Sequence, residues 1–160
     1  MAATNVDRGP GVPFPPPFLF AGGFLVAWLL QRRLPFDVDR DGAGFVQSAI
    51  GLAALVAGLA FMASGIGTFG RHRTTLIPNR PARTLVRTGP YRFTRNPMYV
   101  GLTAAYIGLT LLINWAWPLV LLPVVLILLT TLVIRREERY LRAAFGAEYD
   151  AYCGQVRRWI

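Results

Sequence analysis

The stretch that decides the fold is NPMYVGLTAAYIGLTLLINWAWPLVLLPVVLILLTTLVI, residues 96–134, which contains no charged residue over 39 positions. A helix that crosses a bilayer needs about 20 predominantly apolar residues, so this run is long enough for two crossings. The turn NWAWP, residues 114–118, divides the run and holds two tryptophans, a residue type that favours the membrane interface. We therefore predict two antiparallel helices, 97–113 and 118–134, joined by a short hairpin.

Two further apolar segments precede this run. Residues 17–34 follow a proline-rich arm, 1–16, which we expect to be flexible. Residues 45–69 carry no charge and contain small residues that let helices approach closely, within one chain or across a dimer: Gly51, Gly58, Gly65 and Gly67. The chain is 54% hydrophobic. We predict an all-α polytopic membrane protein, one domain over 1–160, with about four transmembrane helices, a cytoplasmic connector and a C-terminal helix.

The arginines predict how these helices are oriented. All 17 basic residues are arginine, with seven in the connector at 70–95 and six in the tail after residue 134. The hairpin has none, and basic loops favour the cytoplasmic side. We therefore expect the connector, the tail and the N-terminus on the cytoplasmic face of a bacterial inner membrane. Prolines exclude one long helix in the connector: Pro78, Pro81 and Pro90.

The charge and the rare residues limit the expected partners. A net charge of +9 fits contacts with anionic lipid headgroups. Nucleic acid is not an expected partner, because the arginines flank apolar segments and no nucleic-acid-binding motif is present. Cys153 and His72 are the only cysteine and histidine, so we expect no metal site.

Two polar clusters, residues 83–99 and 135–152, lie at the ends of the paired helices. Because the hairpin is short, the start of the first helix should lie beside the end of the second. This places residues 96–99 near Glu137 and Glu138. Neighbouring helix positions point about 100° apart, so one carboxylate can face the bundle while the other meets arginines.

These polar residues allow functional and structural interpretations. Ionisable groups at membrane depth tend to be functional, and Glu137 would suit a cationic ligand. Glu138 could instead form local ion pairs with Arg135 and Arg142. Asn96 and Pro97 are a good N-cap and first-turn pair, although the free N–H groups of a helix start could also bind a carboxylate or a hydroxyl. Tyrosines at positions 91 and 99 could be interface anchors.

Two motifs together resemble a known family. TLVRTGPYRFTRNPMYVG at 84–101 and REERYLRAAFGAEYDAYCGQVRRW at 136–159 are similar to the integral-membrane methyltransferases, the group of isoprenylcysteine carboxyl methyltransferases and phospholipid N-methyltransferases, in its short bacterial form. The likeness extends over nearly the whole chain. Its specific parts are residues 83–101 and 137–152.

The resemblance implies S-adenosylmethionine as methyl donor, in a cytoplasmic pocket closed by the connector and the C-terminal helix. It implies a lipophilic acceptor that enters from the bilayer, and it names no catalytic base. A carboxylate would hold the positive groups of the donor, and apolar side chains would enclose its adenine. The implied cofactor contacts are Arg83, Thr84, Leu85, Val86, Tyr91, Asn96, Pro97, Met98, Tyr99, Glu137 and Glu138.

The chain departs from the prenylcysteine enzymes at two positions. Those enzymes usually carry histidine where this chain has Asn96, and they place a substrate-binding arginine where this chain has Val133. The sequence therefore predicts an S-adenosylmethionine-dependent methyltransferase acting on a lipophilic or membrane-embedded acceptor, similar to the isoprenylcysteine carboxyl methyltransferases. The alternatives are a phospholipid N-methyltransferase of the phosphatidylethanolamine type and a non-enzymatic membrane scaffold.

Overall fold

The computed structural model describes residues 10–12, 14–71 and 84–160, and this part of the chain is helical. It contains no strand apart from an isolated antiparallel bridge between Asp37 and Trp115. A 3₁₀ turn and a π-helical turn accompany the α-helices. The elements are α1 Pro17–Arg33, α2 Phe45–Arg71, the 3₁₀ turn Gly89–Arg92, α3 Pro97–Ile113, α4 Trp117–Leu129, the π turn Thr130–Ile134, α5 Arg135–Phe145 and α6 Ala147–Gln155. The prediction of an all-α fold is confirmed.

A seam of glycines joins α2 to α3. Gly51, Gly58 and Gly65 recur every seven residues along α2 and are buried against α3. A methyl group at Gly58 would lie 2.5 Å from the carbonyl oxygen of Gly101, so only glycine permits this approach. Three of the four glycines noted in the sequence therefore pack within the chain, whereas Gly67 faces open space.

Helix α4 packs against α1, and Tyr106 of α3 connects this pair to the seam. The Tyr106 ring packs against Phe20 and Phe24 of α1, with ring centroids 5.6 and 4.3 Å away. Its hydroxyl donates to the carbonyl of Pro118, 3.2 Å away, at the start of α4. The core of the bundle thus forms around a tyrosine whose polar atom is satisfied.

Two helices are long and apolar enough to cross a membrane. One is α2, and the other is the continuous helix Trp117–Phe145, which α4, the π turn and α5 form together. Helix α3 is apolar but shorter. By this criterion the described residues contain two candidate crossings, and the predicted number of about four is not confirmed.

Residues 10–12, part of the arm that was expected to be flexible, pack against the helices. Val12 is buried in the core cluster that contains Leu129 and Val133, and the Gly11 carbonyl accepts a hydrogen bond from Arg136. Three residues discussed above lie outside the described residues: His72, Pro78 and Pro81. One implied cofactor contact, Arg83, also lies outside them.

Candidate active site

The first turn of α3 and the start of α5 meet through a hydrogen bond. The Tyr99 hydroxyl donates to Oε1 of Glu137 across 2.8 Å. Tyr99 is buried and Glu137 is partly buried, so the bond lies largely away from water. The predicted approach of these two segments is therefore found, and Glu137 is the carboxylate that faces the bundle.

Tyr91 lies near enough to this pair for an electrostatic interaction, and its hydroxyl has no partner among the described residues. The residue is 5% exposed, within the 3₁₀ turn, and its ring packs edge-on against Phe69 of α2. Its carbonyl accepts a hydrogen bond from Tyr152, but its own hydroxyl has no partner among the described residues. Burial raises the pKa of Tyr91 well above its usual value, and the proximity of Tyr152 and Glu137 raises it further. The hydroxyl is therefore neutral and available to a ligand.

Glu138 points away from Glu137 and binds two arginines. Arg158 donates from Nε and Nη2 to the two carboxylate oxygens at 2.8 and 2.7 Å, which is a bidentate geometry. Arg95 lies 3.4 Å from the same carboxylate. The hydrogen bond to Glu138 raises the pKa of Arg158.

The local ion pairs considered for Glu138 are not its observed interactions. In the described chain, Arg142 pairs with Asp150 at 2.7 Å, and no ion pair joins Arg135 to Glu138. Val156 ends α6 with an extended backbone, and the residues after it bring Arg158 within reach of Glu138. The long-range partner binds both carboxylate oxygens, so the tertiary contact replaces the helical one.

Arg95 is a crowded and incompletely satisfied cation. Its Nη1 donates to the sulfur of Cys153 at 2.6 Å, and its backbone N–H donates to the Arg157 carbonyl at 2.9 Å. Its buried Nε has no hydrogen-bond partner among the described residues. Arg95 therefore holds the C-terminal segment in place while one buried donor stays free.

Asn96 occupies the N-cap position of α3, but its side chain does not cap the helix. The side-chain amide donates to the Arg158 carbonyl at 2.9 Å, and no side-chain cap bond forms. The backbone carbonyl of Asn96 instead accepts the N–H groups of Tyr99 and Val100, and Pro97 has none to offer. Within the described first turn of α3, only the Met98 amide has no backbone acceptor, and it lies against Gly65 of α2.

The stretch 84–86 is divided between surface and core. Leu85 and Val86 are buried, and Leu85 packs with Tyr149 and Tyr152 of α6. Thr84 is exposed. The connector end therefore lies against the C-terminal helices and supplies apolar side chains beside the polar cluster.

Met98 and Pro97 face α2. Met98 packs against Gly65 of α2, and Pro97 is buried at the same contact. The structure therefore brings Tyr91, Tyr99 and Glu137 together, while Glu138 and Asn96 serve the contact with the C-terminal segment.

Sequence reasoning missed the residues that close the site from the C-terminus. The Arg158 carbonyl accepts from Asn96, and the Tyr152 hydroxyl donates to the Tyr91 carbonyl, both across about 60 positions of sequence. The Arg158 side chain binds Glu138, 20 positions earlier. Both lie inside the second motif of the resemblance, which was the only signal available in the sequence. Nothing in their spacing indicated their partners, because those contacts depend on how the chain turns back after α6.

Comparison with known proteins identifies the family. A family model described as phospholipid methyltransferase matches residues 46–148. No curated protein and no solved structure matches the chain. The matched range begins in α2 and ends in α6, so it contains both the glycine seam and the Tyr91, Tyr99 and Glu137 cluster. Since the match covers more than half of the chain and both segments of the candidate site, the chain belongs to the phospholipid methyltransferase family of membrane methyltransferases.

Proposed function

We propose that the chain transfers a methyl group from S-adenosylmethionine to a lipophilic acceptor in the bilayer. The observation that carries this proposal is the cluster of Tyr91, Tyr99 and Glu137, in which the Tyr91 hydroxyl has no partner within the described part of the chain. Buried polar groups without partners are rare, and they concentrate where a ligand supplies the missing contact. Family membership supports the reaction class.

The residues at the site fit the chemistry of the donor. Glu137 offers a carboxylate to its positive groups, and the Tyr91 hydroxyl can donate or accept a hydrogen bond. Arg95 Nε, which has no hydrogen-bond partner among the described residues, is a donor for its carboxylate. Leu85 of the connector is buried against Tyr152, whose hydroxyl bonds to the Tyr91 carbonyl. Such apolar side chains beside the site are what an adenine would require.

The donor supplies an electrophilic methyl group on a sulfonium, which an acceptor can displace directly. The protein's own contribution is to bind, to orient and to exclude water. The C-terminal segment performs the last of these, because Arg158 fixes it against Glu138 and the stretch 94–96. The reaction needs no nucleophilic side chain, and we assign no catalytic base.

A phospholipid amine is the second, narrower candidate for the acceptor. Val133 is 0% exposed and packs in the core, where the prenylcysteine enzymes place an arginine for the acceptor carboxylate. A buried valine cannot neutralise such a carboxylate, which favours an acceptor without one. An acceptor of the prenylcysteine type remains the other candidate.

Cofactor binding tests the proposal. Purified protein titrated with S-adenosylhomocysteine should bind it, and Glu137→Gln should weaken that binding by about 10- to 100-fold, the loss expected when a contact between charged groups is removed. Glu148→Gln is the matched control, because Glu148 is an exposed carboxylate that pairs only with Arg87 in the described chain. Absence of binding by the intact protein in several detergents and in lipid would leave the scaffold interpretation.

We further propose four crossings with the site on the cytoplasmic side, in a bacterial inner membrane. The support is the arginine distribution and the position of the site beside the connector. A cysteine at the exposed position 92, in a Cys153→Ser background, should react with an impermeant thiol reagent only from the cytoplasmic side. A cysteine at position 41 should react only from the opposite side. Reversal of the two would contradict this orientation.

A further inference from the structure

A groove runs along α4 and the π turn, outside the candidate active site. Its volume is about 370 Å³. One end is apolar, the middle carries hydroxyl groups, and the other end is basic. Its walls are formed by Leu126, Ile127, Thr130, Thr131, Arg135 and Trp159.

The length of the groove matches one leaflet of a bilayer. Arg135 is the first charged residue after the uncharged run 96–134, which places it at headgroup depth. Leu126 lies nine residues earlier, or about 14 Å deeper at 1.5 Å per residue. The hydrocarbon core of a bilayer is about 30 Å thick, so the groove spans about half of it. An acyl chain from a single leaflet has the same extent.

The charged group of the groove is Arg135. The oxygens of Glu138 are occupied by Arg158 and approached by Arg95, and no ion pair to Arg135 occurs among the described residues. The side chain is exposed beside the hydroxyls of Thr130 and Thr131. An unpaired guanidinium at headgroup depth is complementary to a phosphodiester, which it can bind through two parallel hydrogen bonds.

The groove is separate from the methyl-transfer site. Arg135 and Glu137 are two residues apart, so they point about 200° apart around the helix. Glu137 faces Tyr99, whereas the groove opens toward lipid past the exposed side chains of Ile127 and Thr131. Trp159 closes one wall, directly after Arg158, which fastens the C-terminal segment to Glu138.

We propose that this groove binds one glycerophospholipid of the surrounding leaflet. The phosphodiester of the lipid pairs with Arg135, and one acyl chain lies along Leu126 and Ile127. Charge complementarity at one end and the length of the apolar end both select a phospholipid. By its contact with Trp159, the bound lipid braces the C-terminal segment that covers the active site. The inference does not depend on the proposed methyl acceptor, since it concerns the opposite face of the helix.

Native mass spectrometry of the detergent-purified chain tests this binding. The protein is incubated with phosphatidylglycerol, or with diacylglycerol of the same chains, which lacks the phosphate. We expect wild-type protein to retain one phosphatidylglycerol and to bind diacylglycerol at least about tenfold more weakly. Arg135→Gln should lower phosphatidylglycerol occupancy by about tenfold, and Ile127→Trp should block it by filling the apolar end. Arg139→Gln, an exposed arginine one turn further on, is the matched control and should behave as wild type.

Three outcomes would overturn the proposal. Arg135→Gln and Ile127→Trp could retain as much phospholipid as Arg139→Gln, or diacylglycerol could bind as well as phosphatidylglycerol. Ile127→Trp could also convert a dimer to a monomer, which would assign the groove to a second copy of the chain. Melting temperature shows whether each variant is folded, and S-adenosylhomocysteine affinity should stay unchanged in all of them when no lipid is added. A failure of the methyltransferase proposal would abolish that affinity in the wild type and leave phospholipid retention intact.

Discussion

Each end of the helical bundle carries a polar cluster. Among the described residues, only the cluster at the hairpin end has hydrogen-bond partners for all of its buried side-chain polar atoms. At the hairpin end, the Asn114 side chain accepts from the Asp39 N–H and from Gln47 and donates to the Asp39 carbonyl, at 2.8–3.0 Å. At the opposite end, the Tyr91 hydroxyl and Arg95 Nε are buried and have no hydrogen-bond partner among the described residues.

This difference fits a structural role for the hairpin end and the proposed ligand-binding role for the opposite end. A buried polar atom without a partner costs about 1–3 kcal/mol, so a fold that serves only stability would eliminate it. The hairpin end does so, and Asn114 also adopts the left-handed backbone that ends α3, with φ 59°. At the opposite end, the Tyr91 hydroxyl and Arg95 Nε stay without partners among the described residues, and under the proposed function a ligand supplies the missing contacts.

The largest expected effect is on stability, at the hairpin end. Asn114→Ala removes three side-chain hydrogen bonds and places alanine in a left-handed conformation, which together should cost about 3–4 kcal/mol. The melting temperature in detergent should fall, while the variant, when folded, binds S-adenosylhomocysteine normally. Asn114→Gly is the control, since it removes the same bonds without the backbone strain and should cost about 1 kcal/mol less. A specific loss of ligand affinity in either variant would contradict the division between the two ends.

An intermediate effect on binding is expected at the active-site end. Tyr91→Phe removes the unpartnered hydroxyl and should weaken S-adenosylhomocysteine binding about tenfold, equivalent to about 1.4 kcal/mol. Its melting temperature should stay equal or rise, because a buried unsatisfied group is removed. Tyr152→Phe is the contrasting variant, since that hydroxyl donates to the Tyr91 carbonyl and its loss should lower the melting temperature. Unchanged affinity with a lower melting temperature in Tyr91→Phe would make the hydroxyl structural.

The smallest effect is expected on the exposed surface near the active site. Arg87 and Glu148 form an ion pair with both side chains about half exposed. Arg87→Gln should change the free energy of unfolding by no more than about 0.5 kcal/mol, and added salt should remove the difference. Melting curves at low and high ionic strength provide the measurement. A loss above about 1 kcal/mol would show that the surface of this end also holds the fold together.

Much of the fold was predictable because hydrophobic periodicity and helix breakers act locally. Helix α3 begins at Pro97 and ends at Ile113, the predicted bounds, since proline favours a first turn and Asn114 can end a helix. The approach of Tyr99 to Glu137 followed from the short hairpin. The π turn Thr130–Ile134 was not predicted, because its sequence is as apolar as the α-helix before it.

The side-chain role of Asn96 shows where local reasoning fails. Its residue type and position indicated an N-cap, yet its amide bonds the Arg158 carbonyl instead. Glu138 behaves in the same way, because Arg158 offers two hydrogen bonds that an arginine on the same helix does not form here. In both cases a distant backbone segment competes with the local partner and displaces it.

The sequence by itself determined α1, α2 and α3 to within two residues at each end, the apolar character of these helices, the small residues of the α2–α3 seam and the meeting of residues 96–99 with Glu137. These properties depend on composition, on helical spacing and on a hairpin too short to allow another arrangement. The tertiary structure alone decided which polar atoms are satisfied. That outcome depends on the return of residues 156–158 across the site, and hydrogen bonds between segments 60 residues apart leave no periodic trace in a sequence.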